Sequence, residues 1–282
     1  MFCSSTNPSS FIYVQYGSKS MKSKADAFGN KHNLPVLSSS SSLPFHNEMF
    51  VLNFTKQKIE YVYYEGLNNK MKEKTSFTCD FDDDSLQKRI EQQERSPLLK
   101  ALGVSMKEKD NGITILDATT GLAEDSFIMA NYVSKLILVE RSPLIHILLE
   151  DGLKRGKLSN NSITKEITEK MKLEECCDAL EIFERLSKQH PSVHPDIIFL
   201  DPMHEEKYSK AALPKFKIQL ARKLVGRGIE SDNQILLDKA LEIAKQRVVF
   251  KKPSNCKTDS KVTFSVSGGR AVRYDVYQTD KK

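Results

Sequence analysis

Three acidic residues follow directly on short apolar runs, and such runs are typical of strands buried on both faces. Asp117 comes after "ITIL", Glu140 after "LILV" and Asp201 after "IIFL". If these strands are parallel neighbours, their carboxyl ends lie at one edge of the sheet, where α/β proteins bind ligands. Carboxylates at that edge can accept hydrogen bonds from hydroxyl and amino groups. The three residues therefore predict a ligand site.

The segment Asp201-Pro202-Met203-His204 extends this prediction to a reaction. Pro202 has no N–H and a fixed φ, so the chain turns out of the sheet there. The carboxylate and nearby main-chain carbonyls then suit a substrate that presents an exocyclic amine. Hydrogen bonds to these acceptors would orient the amine for in-line attack on a methyl group, and His204 is predicted to stack on the base. We predict Asp201, Pro202 and His204 as catalytic residues.

The loop "LDATTGLAED" joins the first of these strands to a predicted helix. Gly121 permits a tight turn, but a dinucleotide site would have several glycines cradling a pyrophosphate. The acids Glu124 and Asp125 would instead favour a cationic ligand, such as the amino acid end of S-adenosylmethionine. We predict Asp117, Gly121, Glu124 and Asp125 as cofactor contacts. A strand, turn and helix with ordinary caps is the alternative.

Two further positions complete the predicted edge. Glu140 lies 23 positions after Asp117, the usual placing of an acid that binds two ribose hydroxyls. A ribose is present in both NAD and S-adenosylmethionine, so Glu140 does not separate them. In "KLEECCDAL", Cys177 or Asp178 could face an adenine ring, and Asp178 could equally be the N-cap of the next helix.

The elements that must position these residues alternate between strand and helix from Gly112 onward. This alternation predicts a Rossmann-like, mostly parallel α/β sheet. "VTFSVSGGRAVRYDVY" predicts a C-terminal antiparallel hairpin. Earlier, "MFVLNF" and "IEYVYYEG" could form another hairpin. We predict a small N-terminal α+β region at residues 1–100 and the main domain at residues 101–282.

Composition bounds the class of protein. The chain has 282 residues, 39% hydrophobic and 28% charged, as in an ordinary globular protein. A net charge of +6 permits a polyanionic partner without requiring one. The five cysteines form no CxxC pair and no histidine cluster accompanies them, which predicts free thiols and no metal site. No apolar run approaches the length of a membrane span. The first 25 residues lack acids and are rich in serine, as in an organellar transit peptide, but "FIYVQYG" is typical of an ordinary strand and arginine is absent there, so we expect a cytoplasmic protein.

Several of these segments occur together in one known family. "LDATTGLAEDSF", "LILVERSPLIHILLEDGLKRG", "IIFLDPM", "QRVVFKKP" and "RYDVY" resemble the bacterial 16S ribosomal RNA (guanine-N2) methyltransferase family RsmJ. The resemblance implies a class I methyltransferase fold and S-adenosylmethionine as methyl donor. It also implies a guanine of small-subunit ribosomal RNA, free or in the assembled subunit, as target. The implied donor contacts are Glu124, Asp125, Glu140, Arg141, Cys177, Asp178 and Asp201.

Basic residues follow the Asp-Pro-Met turn and the strand "QRVVFKKP". These residues would lie beside the predicted site and contact RNA phosphates, largely independently of the RNA sequence. A solvated helix face is the simpler alternative for such a charge run. The predicted RNA contacts are Lys207, Lys210, Lys215, Lys217, Arg222, Lys251 and Lys252.

Other functions stay open at this point. The Asp-Pro-Met turn would also suit a methyltransferase acting on adenine N6. A non-catalytic RNA-binding or ribosome-assembly protein on the same fold is a second alternative. It is motivated by Glu124, where the family usually has arginine, and by His204, where it usually has an aromatic residue. The acidic, glycine-poor first loop argues against a nicotinamide oxidoreductase.

Overall fold

The computed structural model describes residues 11–68, 70–92, 96–104, 112–202 and 230–279. The chain divides into two compact units. Among the described residues, the first unit contains those up to Asp80 together with Ile147–Arg155. The second unit begins at Phe81 and contains the remaining described residues. The predicted division near residue 100 stays a prediction.

The first unit contains a five-stranded sheet in the order β2-β1-β3-β4-β5. Strands β1, β2 and β3 pair in parallel, and β3, β4 and β5 pair antiparallel. The expected hairpin of "MFVLNF" and "IEYVYYEG" is confirmed as β3 and β4. The elements are β1 Phe11–Tyr16, α1 Lys19–His32, β2 Val36–Ser38, β3 Glu48–Phe54, β4 Ile59–Leu67 and β5 Lys70–Phe77.

Aromatic rings form much of the core of this sheet. Tyr61 is fully buried and stacks on Phe77 with ring centroids 5.6 Å apart. Phe50 packs against Tyr63 at 5.1 Å. Because β-branched and aromatic side chains fit a pleated, half-buried surface, the run "IEYVYYEG" forms a strand.

The second unit contains a seven-stranded sheet and most of the helices. Its elements in chain order are α2 Asp84–Glu91, α3 Pro97–Leu102, β6 Thr114–Asp117, α4 Glu124–Ala130, β7 Lys135–Leu138, α5 Pro143–Lys157, α6 Ser162–Glu169, β8 Met171–Leu173, α7 Ala179–Ser187, β9 Ile197–Leu200, α8 Glu230–Ile243, β10 Arg247–Pro253, β11 Phe264–Ser267 and β12 Val272–Gln278. The middle of α5, Ile147–Arg155, groups with the first unit.

The strand order in this sheet is β11-β12-β10-β9-β6-β7-β8. Strands β8, β7, β6, β9 and β10 are parallel, whereas β12 runs antiparallel to β10 and to β11. The predicted parallel sheet with a C-terminal antiparallel hairpin is therefore confirmed. The chain passes from β6 outward to β8 and then returns to β9 on the other side of β6. That reversal creates a switch point between β6 and β9.

The apolar runs of the sheet are buried, as strands covered by helices on both faces should be. All four residues of β9, Ile197–Leu200, are at most 1% exposed. A core of α7, α8 and strand residues packs around them, including Phe183, Leu237 and Val248. This burial holds the strand ends rigidly, so residues that follow the strands have defined positions.

Candidate active site at the carboxyl edge of the parallel sheet

The three acids found at strand ends lie at one edge of the second unit's sheet. Asp117 is the last residue of β6, Glu140 follows β7 by two residues, and Asp201 follows β9 directly. Since β9, β6 and β7 are adjacent and parallel, all three acids follow the carboxyl ends of neighbouring strands. Asp117 and Asp201 flank the switch point, where ligands bind in sheets of this type.

The Asp117 side chain is buried and holds the loop after β6 through hydrogen bonds. Its side chain is 2% exposed. Its Oδ1 accepts from the Thr119 amide at 3.0 Å, and its Oδ2 accepts from the Ser126 hydroxyl at 2.5 Å. The pKa of Asp117 is raised to about 7. Burial is the main cause and the charges of Asp201 and Asp125 add to it, whereas the two hydrogen bonds act to lower the pKa. The predicted cofactor contact therefore lies beneath the loop.

Glu140 is held by two main-chain amides. Its Oε2 accepts from Gly121 N–H at 2.9 Å and its Oε1 from Ser142 N–H at 2.7 Å. Gly121 has φ of 57°, a left-handed conformation that glycine adopts readily, and no atom lies within 4 Å of the position a Cβ would take. Burial raises the pKa of Glu140. The carboxylate thus ties the end of β7 to an open turn after β6.

A chain of four charged side chains links the loop after β6 to Asp201. Arg89 on α2 contacts Asp125 at 2.5 Å, Lys251 on β10 contacts Asp125 at 2.7 Å, and the same ammonium contacts Asp201 at 2.7 Å. We call Arg89, Asp125, Lys251 and Asp201 the Lys251 network. Glu124 lies at its margin, 3.6 Å from Arg89 and more than half exposed.

The protonation states of the network follow from these contacts. Burial alone would raise the pKa of Asp125, but Lys251 and Arg89 outweigh it and lower that pKa to about 2. Burial alone would lower the pKa of Lys251, but Asp125 and Asp201 outweigh it and raise that pKa above its ordinary value. Asp125 is therefore a carboxylate and Lys251 an ammonium at neutral pH.

Asp201 is the most exposed of the three strand-end acids. Its side chain is 37% exposed, and its amide donates to the Thr119 hydroxyl at 2.6 Å. Thr119 thus joins the turn after β6 to the turn after β9. Pro202 follows and is partly buried. His204 and five predicted RNA contacts lie outside the described residues; these five are Lys207, Lys210, Lys215, Lys217 and Arg222.

The predicted adenine contacts lie after β8. Asp178 is the N-cap of α7: its Oδ1 accepts from the Leu180 amide at 3.0 Å, and its own amide donates to Glu181 at 3.3 Å. Arg141 is 3.5 Å from Asp178. Cys177 is half-buried against the core, and burial raises the pKa of its thiol. The structure therefore shows the capping role for Asp178, and its contact with a donor stays a prediction.

The two lysines predicted to contact RNA from β10 both have carboxylate neighbours. Lys251 belongs to the Lys251 network. Lys252 lies 3.7 Å from Asp275 and 3.2 Å from the Tyr277 hydroxyl, and its ammonium is 4.5 Å from the Phe250 ring centroid. Its side chain is only 14% exposed. Contact of either lysine with RNA stays a prediction.

Sequence reasoning missed Arg89, Thr119 and Ser126. Arg89 lies on α2, 36 positions before Asp125, and nothing in the local pattern indicates that pairing. Thr119 and Ser126 lie on either side of Gly121, close to Asp117 in sequence, and their hydroxyls could have been recognised as partners for a buried carboxylate.

In the described ranges, no helix is long and apolar enough to cross a membrane. Across the same ranges, no three or more His, Cys, Asp or Glu side chains are grouped so that they could hold a metal ion.

Comparison with known proteins places the chain in a family. Residues 40–279 match the family described as "Putative SAM-dependent methyltransferase". A crystal structure of a SAM-dependent methyltransferase from Neisseria gonorrhoeae has a TM-score of 0.64 at 23% identity, covering 95% of this chain and 96% of that one. This likeness shows a shared fold.

Relatives named ribosomal RNA small subunit methyltransferase J are closer in sequence. The one from Vibrio parahaemolyticus is 36% identical over 170 residues, which span 58% of this chain and 63% of that relative. The one from Nitrosococcus oceani is 35% identical over 191 residues, spanning 66% of this chain and 68% of that relative. The resemblance predicted from the sequence is confirmed: the chain belongs to the SAM-dependent methyltransferase family, among the relatives of ribosomal RNA small subunit methyltransferase J.

Proposed function

We propose that the protein transfers a methyl group from S-adenosylmethionine to the exocyclic N2 of a guanine in small-subunit ribosomal RNA. The observation that carries this proposal is the position of Asp201 beside the switch point, on the same edge as Asp117 and Glu140. Relatives aligned over about two thirds of their own length are named for methylation of that RNA. We further propose the cytoplasm as the site of action.

The residues present fit the donor. S-adenosylmethionine is cationic at its sulfonium and ammonium groups. Along the edge, the carboxylates of Glu124, Asp125, Glu140 and Asp201 outnumber the two cations of the Lys251 network. The space beside the Gly121 α-carbon is open, so a ligand can approach this backbone closely. An acidic edge with an open glycine turn suits a cationic nucleoside better than a pyrophosphate.

Each residue of the edge has a distinct proposed role. Glu140 would accept hydrogen bonds from the ribose hydroxyls, because two amides fix its carboxylate. Asp125 and Glu124 would attract the positive end of the donor. Other parts of the donor would contact Gly121, Arg141, Cys177 and Asp178. When bound, S-adenosylmethionine supplies a methyl group on a positively charged sulfur that departs as a neutral thioether.

Asp201 would receive the target amine. An exocyclic amine is a poor nucleophile because its lone pair is delocalised into the ring. A carboxylate that accepts one of its N–H groups orients the amine and stabilises positive charge as the new bond forms. Pro202 directs the chain out of the sheet beside that amine, and His204 is proposed to stack on the base. The predicted lysines and arginine after Met203 are proposed to contact phosphates.

Methyl transfer to unmodified small ribosomal subunits tests the proposal. Radiolabelled S-adenosylmethionine is supplied, the RNA is digested, and the labelled nucleoside is identified by mass spectrometry. N2-methylguanosine is the expected product, whereas N6-methyladenosine would indicate the adenine alternative. RNA binding with neither methyl transfer nor donor binding would indicate the non-catalytic alternative.

A further inference from the structure

Lys251 connects the two sides of the proposed site through one ammonium group. Its Nζ lies 2.7 Å from Asp125 Oδ2 and 2.7 Å from Asp201 Oδ2. Asp125 is in the first turn of α4, on the proposed donor side, and Asp201 is at the end of β9, on the proposed target side. The three side chains are between 17% and 37% exposed, so a ligand at this edge can reach them.

The two carboxylates depend on Lys251 to different degrees. Asp125 also contacts Arg89 at 2.5 Å, so it keeps a cation when Lys251 is replaced. Within the described part of the chain, Asp201 contacts Lys251 through Oδ2, and its main-chain amide donates to Thr119. Removing the ammonium would therefore loosen the Asp201 side chain while leaving its backbone in place.

We propose that Lys251 is a positioning residue for methyl transfer, which holds the Asp201 carboxylate oriented as the acceptor of the target amine. This inference rests on the proposed function and assigns Lys251 to the reacting end of the site instead of to an RNA phosphate.

The charge state of Lys251 supports this role. Burial acts to lower its pKa, but Asp125 and Asp201 together raise it above the ordinary value, so the side chain stays an ammonium at neutral pH. An ammonium has no lone pair and accepts no proton. During transfer, the amine nitrogen forms a bond to the methyl carbon as the sulfur–carbon bond breaks, and one N–H proton leaves. Asp201 is the group placed to accept that proton, and the contact with Lys251 orients its carboxylate beforehand.

Other titratable groups face this pair from each neighbouring element. Tyr274 on β12 is opposite Lys251 in the strand register, and burial raises its pKa. The set within the described residues is Arg89 on α2, Asp117 on β6, Glu124 and Asp125 on α4, and Tyr274 on β12.

Three variants test the inference. Lys251→Met removes the charge and keeps the length, and Lys251→Arg keeps the charge. Lys245→Met is the matched control, because Lys245 pairs with Asp196 at 3.1 Å before the start of β9, at the opposite end of that strand from Asp201. Methyl transfer to unmodified small subunits is measured at neutral pH so that kcat and KM are obtained separately. Donor affinity is measured by calorimetry and folding by thermal unfolding.

We expect K251M to lower kcat by about 10²-fold at neutral pH, the usual effect of a misplaced reacting group. KM for the small subunit should change less than kcat, because Lys251 acts at the reacting end of the site. Donor affinity should change by less than about threefold, since Asp125 keeps Arg89. K251R should retain most of the wild-type kcat, and K245M should match the wild type.

Several outcomes would overturn the inference. If the wild type is active and K251M keeps the wild-type kcat, Lys251 does not have this role. The same holds if K245M loses as much activity as K251M. In both cases the proposed function still stands. A wild type that transfers no methyl group would overturn both together. If K251M does not fold, K251R decides: a loss of kcat of about 10²-fold in a folded K251R, despite the retained charge, would contradict the inference.

Discussion

Asp201 and Glu140 differ in how much of each carboxylate is already engaged within the protein. Glu140 is 7% exposed, and both oxygens accept main-chain N–H groups. Asp201 is 37% exposed, and its contact with Lys251 is through one oxygen. At the scale of single residues, Glu140 is therefore suited to a fixed binding contact and Asp201 to a partner that arrives and leaves.

Replacing Asp201 tests the reacting residue. Asp201→Asn keeps the shape but removes the anionic acceptor, so methyl transfer should fall by about 10²- to 10³-fold. The midpoint of thermal unfolding should change little, because the amide of residue 201 still donates to Thr119. Radiolabelled methyl transfer measures the effect, and Asp238→Asn, at an exposed ion pair with Lys261, is the control. Activity of D201N near the wild-type value would exclude Asp201 from the mechanism.

Replacing Glu140 tests the binding residue. In Glu140→Gln one carboxylate oxygen becomes an amide NH₂, which leaves a single oxygen to accept from Gly121 or from Ser142. Affinity for S-adenosylmethionine should fall by about tenfold, or ~1.4 kcal/mol, with a smaller effect on kcat. Isothermal calorimetry measures the affinity. An unchanged dissociation constant would show that Glu140 does not contact the donor.

At the scale of elements, the site depends on how three turns are joined. Asp117 joins β6 to α4 through Ser126, Thr119 joins the β6 turn to Asp201, and Glu140 joins β7 to Gly121. Ala123, in the left-handed conformation with φ of 60°, precedes α4. A non-glycine residue there costs of order 1 kcal/mol, which these hydrogen bonds and the buried residues of α4 from Ser126 onward offset.

The buried carboxyl group of Asp117 should make the stability of the folded protein depend on pH. Its pKa is about 7 in the folded protein and about 3.9 in an unfolded chain. Between these values the folded state binds the proton more tightly, so the contribution of Asp117 to stability falls as pH rises and levels off above about pH 7. From about pH 5 to 8 we expect a loss of at most about 3 kcal/mol.

Asp117→Asn isolates this contribution. Asparagine has no such titration and can donate to Ser126 while accepting from Thr119. The difference in unfolding free energy between wild type and D117N should therefore vary from about pH 5 to 8, as measured by urea unfolding. A difference that stays constant across that range would place the pKa of Asp117 outside it.

The capping box of α7 allows two roles of Asp178 to be separated. Asp178→Ala removes the cap and should cost about 1 kcal/mol of stability. Asp178→Ser retains a capping oxygen and should cost little, although it removes the carboxylate. Thermal unfolding compares the two. If D178S weakens donor binding at unchanged stability, Asp178 contacts the donor as well, and a D178S as unstable as D178A would contradict the capping role.

At the scale of the whole molecule, local pattern predicted the elements and topology decided their contacts. The apolar runs before Asp117, Glu140 and Asp201 sufficed to predict β6, β7 and β9, because short unbroken apolar runs are typical of strands buried on both faces. The Lys251 network joins residues 126 and 50 positions apart. Such pairs depend on which strands become neighbours. The sequence therefore indicates that Lys251 is charged but not that it contacts Asp125 and Asp201.

The net charge of +6 is compatible with binding to RNA, and the basic residues after Met203 allow that binding to be tested. If Lys215 and Lys217 contact RNA phosphates, the double variant Lys215→Ala/Lys217→Ala should weaken RNA binding about equally for all sequences. The slope of log affinity against log salt concentration should become shallower by roughly 1.4, at about 0.7 per lost contact with single-stranded RNA.

Filter binding from about 50 to 300 mM salt measures that slope, and the exposed Lys188, paired with Glu184 on α7, provides the control variant Lys188→Ala. An equal change in slope for K188A and for the double variant would indicate diffuse attraction by net charge. A change confined to the double variant would indicate that RNA phosphates contact Lys215 and Lys217 themselves, as proposed for the basic residues that follow Met203.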